Sequence, residues 1–276
     1  MPGGRAVGHV IVRAMSAEHL LNHQGDPPSL RTHVRRMANK VPDVRVYFWI
    51  IKVLTTGMGE TASDLLAKAL DPVLAVGLGG VGFAVSLVVQ FSLRRYVAWI
   101  YWTGIVMVSV FGTMAADVLH VVLGVPYAIS TPVFALVLGC VFACWYASER
   151  TLSIHGIDTR RREFFYWAAV LATFALGTAA GDLAASAGLR YFGSAILFAV
   201  AICIPALLRR SGILSAVAAF WGAYVITRPL GASLADWMAL PRSRGGLAMG
   251  LGPVTLLWTV VIFGLVAYVA ASKRDT

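Results

Sequence analysis

This sequence predicts an all-α membrane protein of about eight transmembrane helices, arranged as four parallel two-helix repeats. Three observations predict it. Long apolar runs recur from about residue 44 to the C-terminus, in a chain that is 58% hydrophobic and only 13% charged. So little charge does not cover the surface of a soluble domain of this size. Basic residues gather at alternate ends of those runs, and one spaced motif occurs four times. No alternating ~10-residue strand pattern is present, which argues against a β-barrel.

Residues 1–40 come first, polar and basic, with "GDPP" and no sustained helical period. They lack the continuous apolar stretch of a signal peptide and are expected to form a disordered cytoplasmic arm. Met37 opens "MANKVPDV" directly before the first apolar run, so translation could start at Met1 or at Met37. Eight candidate spans follow, at roughly 44–69, 73–93, 96–123, 128–148, 163–187, 192–209, 213–239 and 250–271. The breaks between them are short: "DP" at 71–72, "GVP" at 124–126, "GLR" at 188–190 and "PRSRGG" at 241–246. Even-numbered spans end in basic residues: Arg94 and Arg95, then Arg150 with Arg160 to Arg162, then Arg209 and Arg210, then Lys273 and Arg274. The opposite ends carry only Lys68, Arg190, Arg242 and Arg244. By the positive-inside rule both termini are expected in the cytoplasm. The net charge of +10 is thereby accounted for at helix ends, and no nucleic-acid motif accompanies it.

The repeated motif is W-x9-G-x4-D. It runs through Trp49, Gly59 and Asp64, through Trp102, Gly112 and Asp117, through Trp167, Gly177 and Asp182, and through Trp221, Gly231 and Asp236. These lie on spans 1, 3, 5 and 7. Each repeat is one long Asp-bearing helix plus one shorter apolar helix. Two spans per repeat is an even number, so all four repeats cross in the same direction and the four aspartates share one depth. The Trp-to-Trp spacings are 53, 65 and 54. The longer middle one contains "SERTLSIHGIDTRRRE" and divides the membrane part into halves at 41–148 and 163–276, joined by a cytoplasmic linker at 149–162.

Aspartate at mid-span costs about 2.5–3.5 kcal/mol on the insertion scale, and four equivalent ones call for a shared reason. Fifteen helical residues span ~22 Å, which places each Asp well across the bilayer from its Trp. The positions 7, 11 and 15 after each Trp are four apart and share a helix face. In repeat 1 they are Thr56, Glu60 and Asp64, with Lys52 a turn earlier. In repeat 2 they are Ser109, Thr113 and Asp117. In repeat 3 they are Phe174, Thr178 and Asp182, and in repeat 4 Arg228, Ala232 and Asp236. Each long helix thus carries a polar stripe ending in Asp. The stripes either line a wet, ion-binding centre or hydrogen-bond neighbouring helices. Small residues beside each Asp, with the repeated Gly, let the helices approach closely. Pro229 is expected to kink span 7.

Lys52 and Arg228 are expected to be counter-ions of the carboxylates, with Lys52 pairing across helices rather than within span 1. His120, three residues after Asp117, suits a proton relay or a metal site, although a lone histidine near a span end is more often interfacial. Cys140, Cys144 and Cys203 all fall in apolar runs and make no disulfide framework. No cofactor motif is present. HExxH, GxSxG and any nucleophile–base pair are also missing, so an enzyme is not expected.

The stretches "KVPDVRVYFWIIKVLTTGMGETASDLL" and "RPLGASLADW" resemble a bacterial multi-pass membrane family built from a short repeat of unknown function, over about residues 38–272. Lys52, Gly59, Glu60 and Asp64 belong to the first stretch, and Arg228, Pro229, Gly231 and Asp236 to the second. The resemblance implies a bacterial inner-membrane location and the repeat, but no substrate. The residues themselves point to a transporter or channel for a small cation, whose cargo could be a proton or a divalent metal such as Mg²⁺ or Mn²⁺. The alternative is a non-transporting scaffold whose polar stripes lock the helices together. The bilayer is the expected partner, and a homo-oligomer stays open.

Overall fold

The computed structural model describes residues 39–272; the arm before residue 39 lies outside the described residues. Among the described residues nine α-helices follow one another without a strand: α1 Val46–Ala69, α2 Pro72–Ser92, α3 Ala98–Asp117, α4 Tyr127–Glu149, α5 Arg160–Ala184, α6 Arg190–Ala201, α7 Cys203–Arg210, α8 Ala216–Ala239 and α9 Leu251–Ser272. The four motif copies lie on α1, α3, α5 and α8.

Local chemistry sets the ends. At "DP", the Asp71 carboxylate accepts from the Val73 and Leu74 amides while Pro72 opens α2, a strong start signal because Pro at the first helical position gives up no needed donor. Thr159 and Ser215 cap α5 and α8 in the same way. Directly after Asp117 and near Asp182 the helices widen into π turns, Val118–Val122 and Ala185–Leu189. The second of these contains Gly188 at φ 105°, the break expected at "GLR". The sixth span is not one helix. It divides into α6 and α7 because Pro205 has no amide to bond the carbonyl of Ala201 and is tolerated only in the first turn of a new helix. By contrast, α8 runs unbroken through Pro229.

The four long helices form a closed ring: α1 packs on α3, α3 on α5, α5 on α8, and α8 on α1. The motif glycines make this possible. A Cβ on Gly59 would collide with Ser109, one on Gly112 would lie 2.7 Å from Phe174 Cβ, one on Gly177 would collide with Arg228, and one on Gly231 would collide with Thr56 and lie 2.7 Å from Val53 O. In each case the obstructing residue is seven after the Trp of the next repeat, and the fourth repeat returns to the first. The Gly is therefore the seat for the neighbour's side chain at each helix crossing.

The tryptophans follow the same cyclic rule. An aromatic residue precedes each one, and it meets the Trp of the next repeat: Phe48 with Trp102 at 5.7 Å, Tyr101 with Trp167 at 5.9 Å, Tyr166 with Trp221 at 6.2 Å, and Phe220 with Trp49 at 5.7 Å between ring centroids. The companion helices obey it too. The largest contact of α2 is with α3, of α4 with α5, of α6 and α7 with α8, and of α9 with α1. Each repeat's second helix thus covers the next repeat, so no repeat buries its apolar faces alone.

The outward faces are apolar. Val73, Val81 and Val88 on α2, Leu136 on α4, and Val260 and Phe263 on α9 are each more than half exposed. Among the described residues five helical stretches are long and apolar enough to cross a membrane: Pro72–Ser92, Ala98–His120, Tyr127–Glu149, Arg160–Arg210 and Leu251–Ser272. Helices α1 and α8 fall outside that set. Their charged residues, among them Lys52, Glu60, Asp64, Arg228 and Asp236, lower their hydropathy although each has 24 residues. The chain is a multi-pass membrane protein of helical repeats.

The glycine seats are testable. Gly231→Ala forces a methyl against Thr56 and the Val53 carbonyl, and overpacking of this kind costs typically ~1–3 kcal/mol. Gly139 on α4 has nothing within 4 Å of a Cβ, and Gly139→Ala should melt at or slightly above the parent because Ala is the better helix former. Melting curves of the two purified variants should separate them by several degrees, and equal curves would remove the crossing role from the glycine.

Candidate functional site

The inward stripes stack in layers along the ring axis. Nearest the Trp end, the Tyr101 and Tyr166 hydroxyls are 2.5 Å apart. Three residues after each Trp come Lys52, Ile105, Val170 and Tyr224, all fully buried. The Lys52 Nζ lies 4.0 Å from the centroid of the Phe174 ring and 4.3 Å from that of Tyr224. It makes no hydrogen bond and has no carboxylate within ion-pair distance among the described residues. Two ring faces therefore stabilise it where an anion was expected.

The next layer up holds Arg228, which has no exposed surface. Its Nη1 donates to the Thr56 carbonyl at 2.7 Å. Its Nη2 faces Glu60 Oε2 at 2.6 Å and Thr178 Oγ1 at 2.8 Å, and also contacts Thr113 Oγ1. Phe174 lies beneath, 5.3 Å from ring centroid to guanidinium carbon. Glu60, Thr113 and Thr178 are the residues eleven after Trp in repeats 1, 2 and 3. All three converge on the one arginine of repeat 4, and the Ser109 hydroxyl donates to the Thr56 carbonyl at 3.4 Å beside them. The stripe residues Thr56, Ser109, Thr113 and Thr178 thus do meet at a shared centre. The Glu60 partner is Arg228, not Lys52. A guanidinium offers five donors in a planar fork, two more than an ammonium, which suits it to serving several helices at once.

Above Glu60 the ring opens. Asp64, Asp117, Asp182 and Asp236 all line one cavity of about 370 Å³, together with Glu60, Ser63, Tyr127, Tyr191 and Arg244. Tyr127, the first residue of α4, lines the cavity together with Asp182. The cavity reaches the exposed residues Pro72, at the start of α2, and Arg244, so it opens at the end opposite the tryptophans. His120 sits behind this wall. It stacks on Tyr127 at 3.7 Å, and its Nδ1 donates to the Val125 carbonyl at 3.0 Å. Among the described residues no group of three or more His, Cys, Asp and Glu is placed to hold a metal ion.

Sequence reasoning missed several members. Tyr127, Tyr191, Ser63 and Arg244 fall outside the four-residue period: Tyr127 and Tyr191 reach the cavity from companion helices α4 and α6, Arg244 from the turn before α9, and Ser63 from α1 beside Asp64. The aromatic residue before each Trp is a signal present in "FW", "YW", "YW" and "FW" that the four-residue stripe does not include. At the opposite end, buried Glu163 accepts from Lys40 Nζ at 2.6 Å and from Gln90 Nε2 at 3.1 Å. This straps the segment before α1 to α5.

The two buried cations should respond differently to removal. Arg228→Met orphans Glu60, and breaking a buried pair in this way costs about 3–5 kcal/mol. Adding Glu60→Gln should restore part of that, which thermal melting of the double variant would read. Lys52→Met gives up no hydrogen bond and should melt near the parent. A Lys52→Met loss as large as that of Arg228→Met would overturn the assignment of Arg228 as the partner of Glu60.

Comparison with known proteins gives one match. The family model described as Repeat of Unknown Function (DUF347) matches residues 47–96, 100–151, 165–211 and 219–275, one copy for each long helix and its companion. Searches of curated proteins and of solved structures find no match. The chain belongs to the DUF347 family, with four copies of the repeat closed into a ring.

Proposed function

We propose that the ring conducts a small cation across the membrane, with the carboxylate-lined cavity as its entrance and the Arg228–Glu60 pair as its gate. The observation that carries this reading is the cavity itself: all four motif aspartates and Glu60 open into one space of about 370 Å³. Negative groups at a shared depth attract cations and lower their cost of leaving bulk water. Below Glu60 the axis is filled by Arg228, Phe174 and Lys52, so the arrangement is closed toward the tryptophans. A cation reaching Glu60 competes with Arg228 for the same carboxylate. Arg228 can then shift toward Phe174, the ring already beneath it. The carboxylates can equally take up protons, so a proton is a cargo or a coupling ion in the same scheme.

The scaffold reading draws on a different observation. Arg228 bonds to residues of repeats 1, 2 and 3, which cross-links the ring whether or not anything passes. Asp→Asn separates the two readings, since Asn keeps the shape and much of the hydrogen-bonding reach of Asp but carries no charge. For a conductor, Asp64→Asn, Asp117→Asn, Asp182→Asn and Asp236→Asn should fold and lose cation flux in proteoliposomes by at least tenfold. Folded variants with undiminished flux would exclude carboxylate-mediated transport. Loss of folding in step with flux would favour the scaffold.

We place the protein in the bacterial inner membrane with the Trp ends and both termini on the cytoplasmic side, from the basic residues after each companion helix. In a chain whose native cysteines are replaced, a cysteine at Asp158 should be labelled from the cytoplasm and one at Ser243 from outside. The reverse pattern would invert the orientation and make the cavity a cytoplasmic entrance.

A further inference from the structure

We infer that the cavity binds a linear aliphatic diamine, with its two ammonium ends on aspartates of different repeats and its methylenes on the apolar wall between them. This rests on the reading of the cavity as a cation site. One buried polar side chain points to a ligand there. Asp236 lines the cavity, is only 6% exposed, and has no hydrogen bond or ion pair among the described residues. Buried polar groups are normally satisfied, and one left unpaired is costly. A ligand bearing N–H donors would satisfy it.

The distribution of charge selects the kind of cation. A bare divalent ion needs a compact shell, about six oxygens near 2.1 Å for Mg²⁺, and no three acids among the described residues are placed to supply one. The carboxylates come from four helices around a space of about 370 Å³. That volume is near the lower end of small-molecule sites and equals roughly a dozen waters. Glu60 is already held by Arg228, and Arg244 at the mouth offsets one carboxylate, so the remaining negative charge lies on the aspartates, which come from four helices around the wall. Two separated ammonium groups match separated anions better than one central charge does. Each ammonium carries three donors, for which the aspartates and Tyr191 offer oxygens. Met114, Val118 and Leu240 complete the wall. A hydrated metal ion gains nothing from these apolar groups, whereas a methylene chain buries against them.

The test uses the full-length protein purified in detergent, titrated by calorimetry with 1,4-diaminobutane, 1-aminobutane, MgCl₂ and MnCl₂. The expected result is a diamine affinity at least tenfold above that of the monoamine and of either metal, falling at least tenfold in Asp236→Asn. Should Asp236→Asn fail to fold, Asp64→Asn takes its place beside the ligand comparison on the parent protein, with the same tenfold loss expected. A diamine bound no more tightly than 1-aminobutane overturns the inference, as does unchanged diamine affinity in a folded Asp236→Asn protein. Tighter binding of Mg²⁺ or Mn²⁺, lost on Asp236→Asn, overturns the diamine while leaving the cation site standing. Absence of binding by every cation tested overturns both.

Discussion

One guanidinium with no exposed surface sits where four helices meet, and the ring is built to satisfy it. Arg228 takes a carbonyl and a carboxylate from α1, a hydroxyl from α3 and a hydroxyl from α5. A buried charge is tolerated only when its attraction and hydrogen bonds outweigh desolvation. That requirement binds all four repeats to one register along the membrane normal. If one long helix slid by a turn, its position-11 residue would leave Nη2 and expose the charge to a low dielectric. The register that suits Arg228 also brings the four aspartates to a common level, one turn above.

Close approach is the second condition. Arg228 spans the centre only because Gly177 leaves room for its Cβ and Cγ, and the same space is made by Gly59, Gly112 and Gly231 at the other three crossings. Between transmembrane helices there is no hydrophobic drive of the kind that folds soluble cores. Packing and polar contacts hold the helices together, and small residues enable both. The companion helices add a relay. Each covers the long helix of the following repeat, and α9 returns to α1, so the last helix of the chain is part of the closure.

The repeats agree in frame and differ in content. Positions that set the frame, the aromatic pair, the Gly and the Asp, recur in all four. Positions along the axis diverge: seven residues after Trp stand Thr56, Ser109, Phe174 and Arg228. The frame makes a symmetric tube, and the divergent layer closes it with one cation, one ring and two hydroxyls. Along these inward stripes, basic residues stand only in the first and fourth repeats, on the neighbouring helices α1 and α8. This charged side is asymmetric within a cyclic frame.

Sequence alone determined the membrane class, the helical repeats and the shared face of Thr56, Glu60 and Asp64 with their counterparts. Each of these follows from local periodicity: apolar length sets a span, a recurring motif sets the repeat, and four-residue spacing sets a face. Tertiary structure decided who meets whom. Lys52 and Arg228 both lie on inward faces, and periodicity gives a face without naming the neighbour. The offset between adjacent helices put Arg228 beside Glu60 and left Lys52 a layer below, between Phe174 and Tyr224. The cyclic order of the repeats, the role of each Gly as the next repeat's seat, and the arrival of Tyr127, Tyr191 and Ser63 at the carboxylates were likewise set by packing, because those contacts join residues whose separation in the chain carries no period.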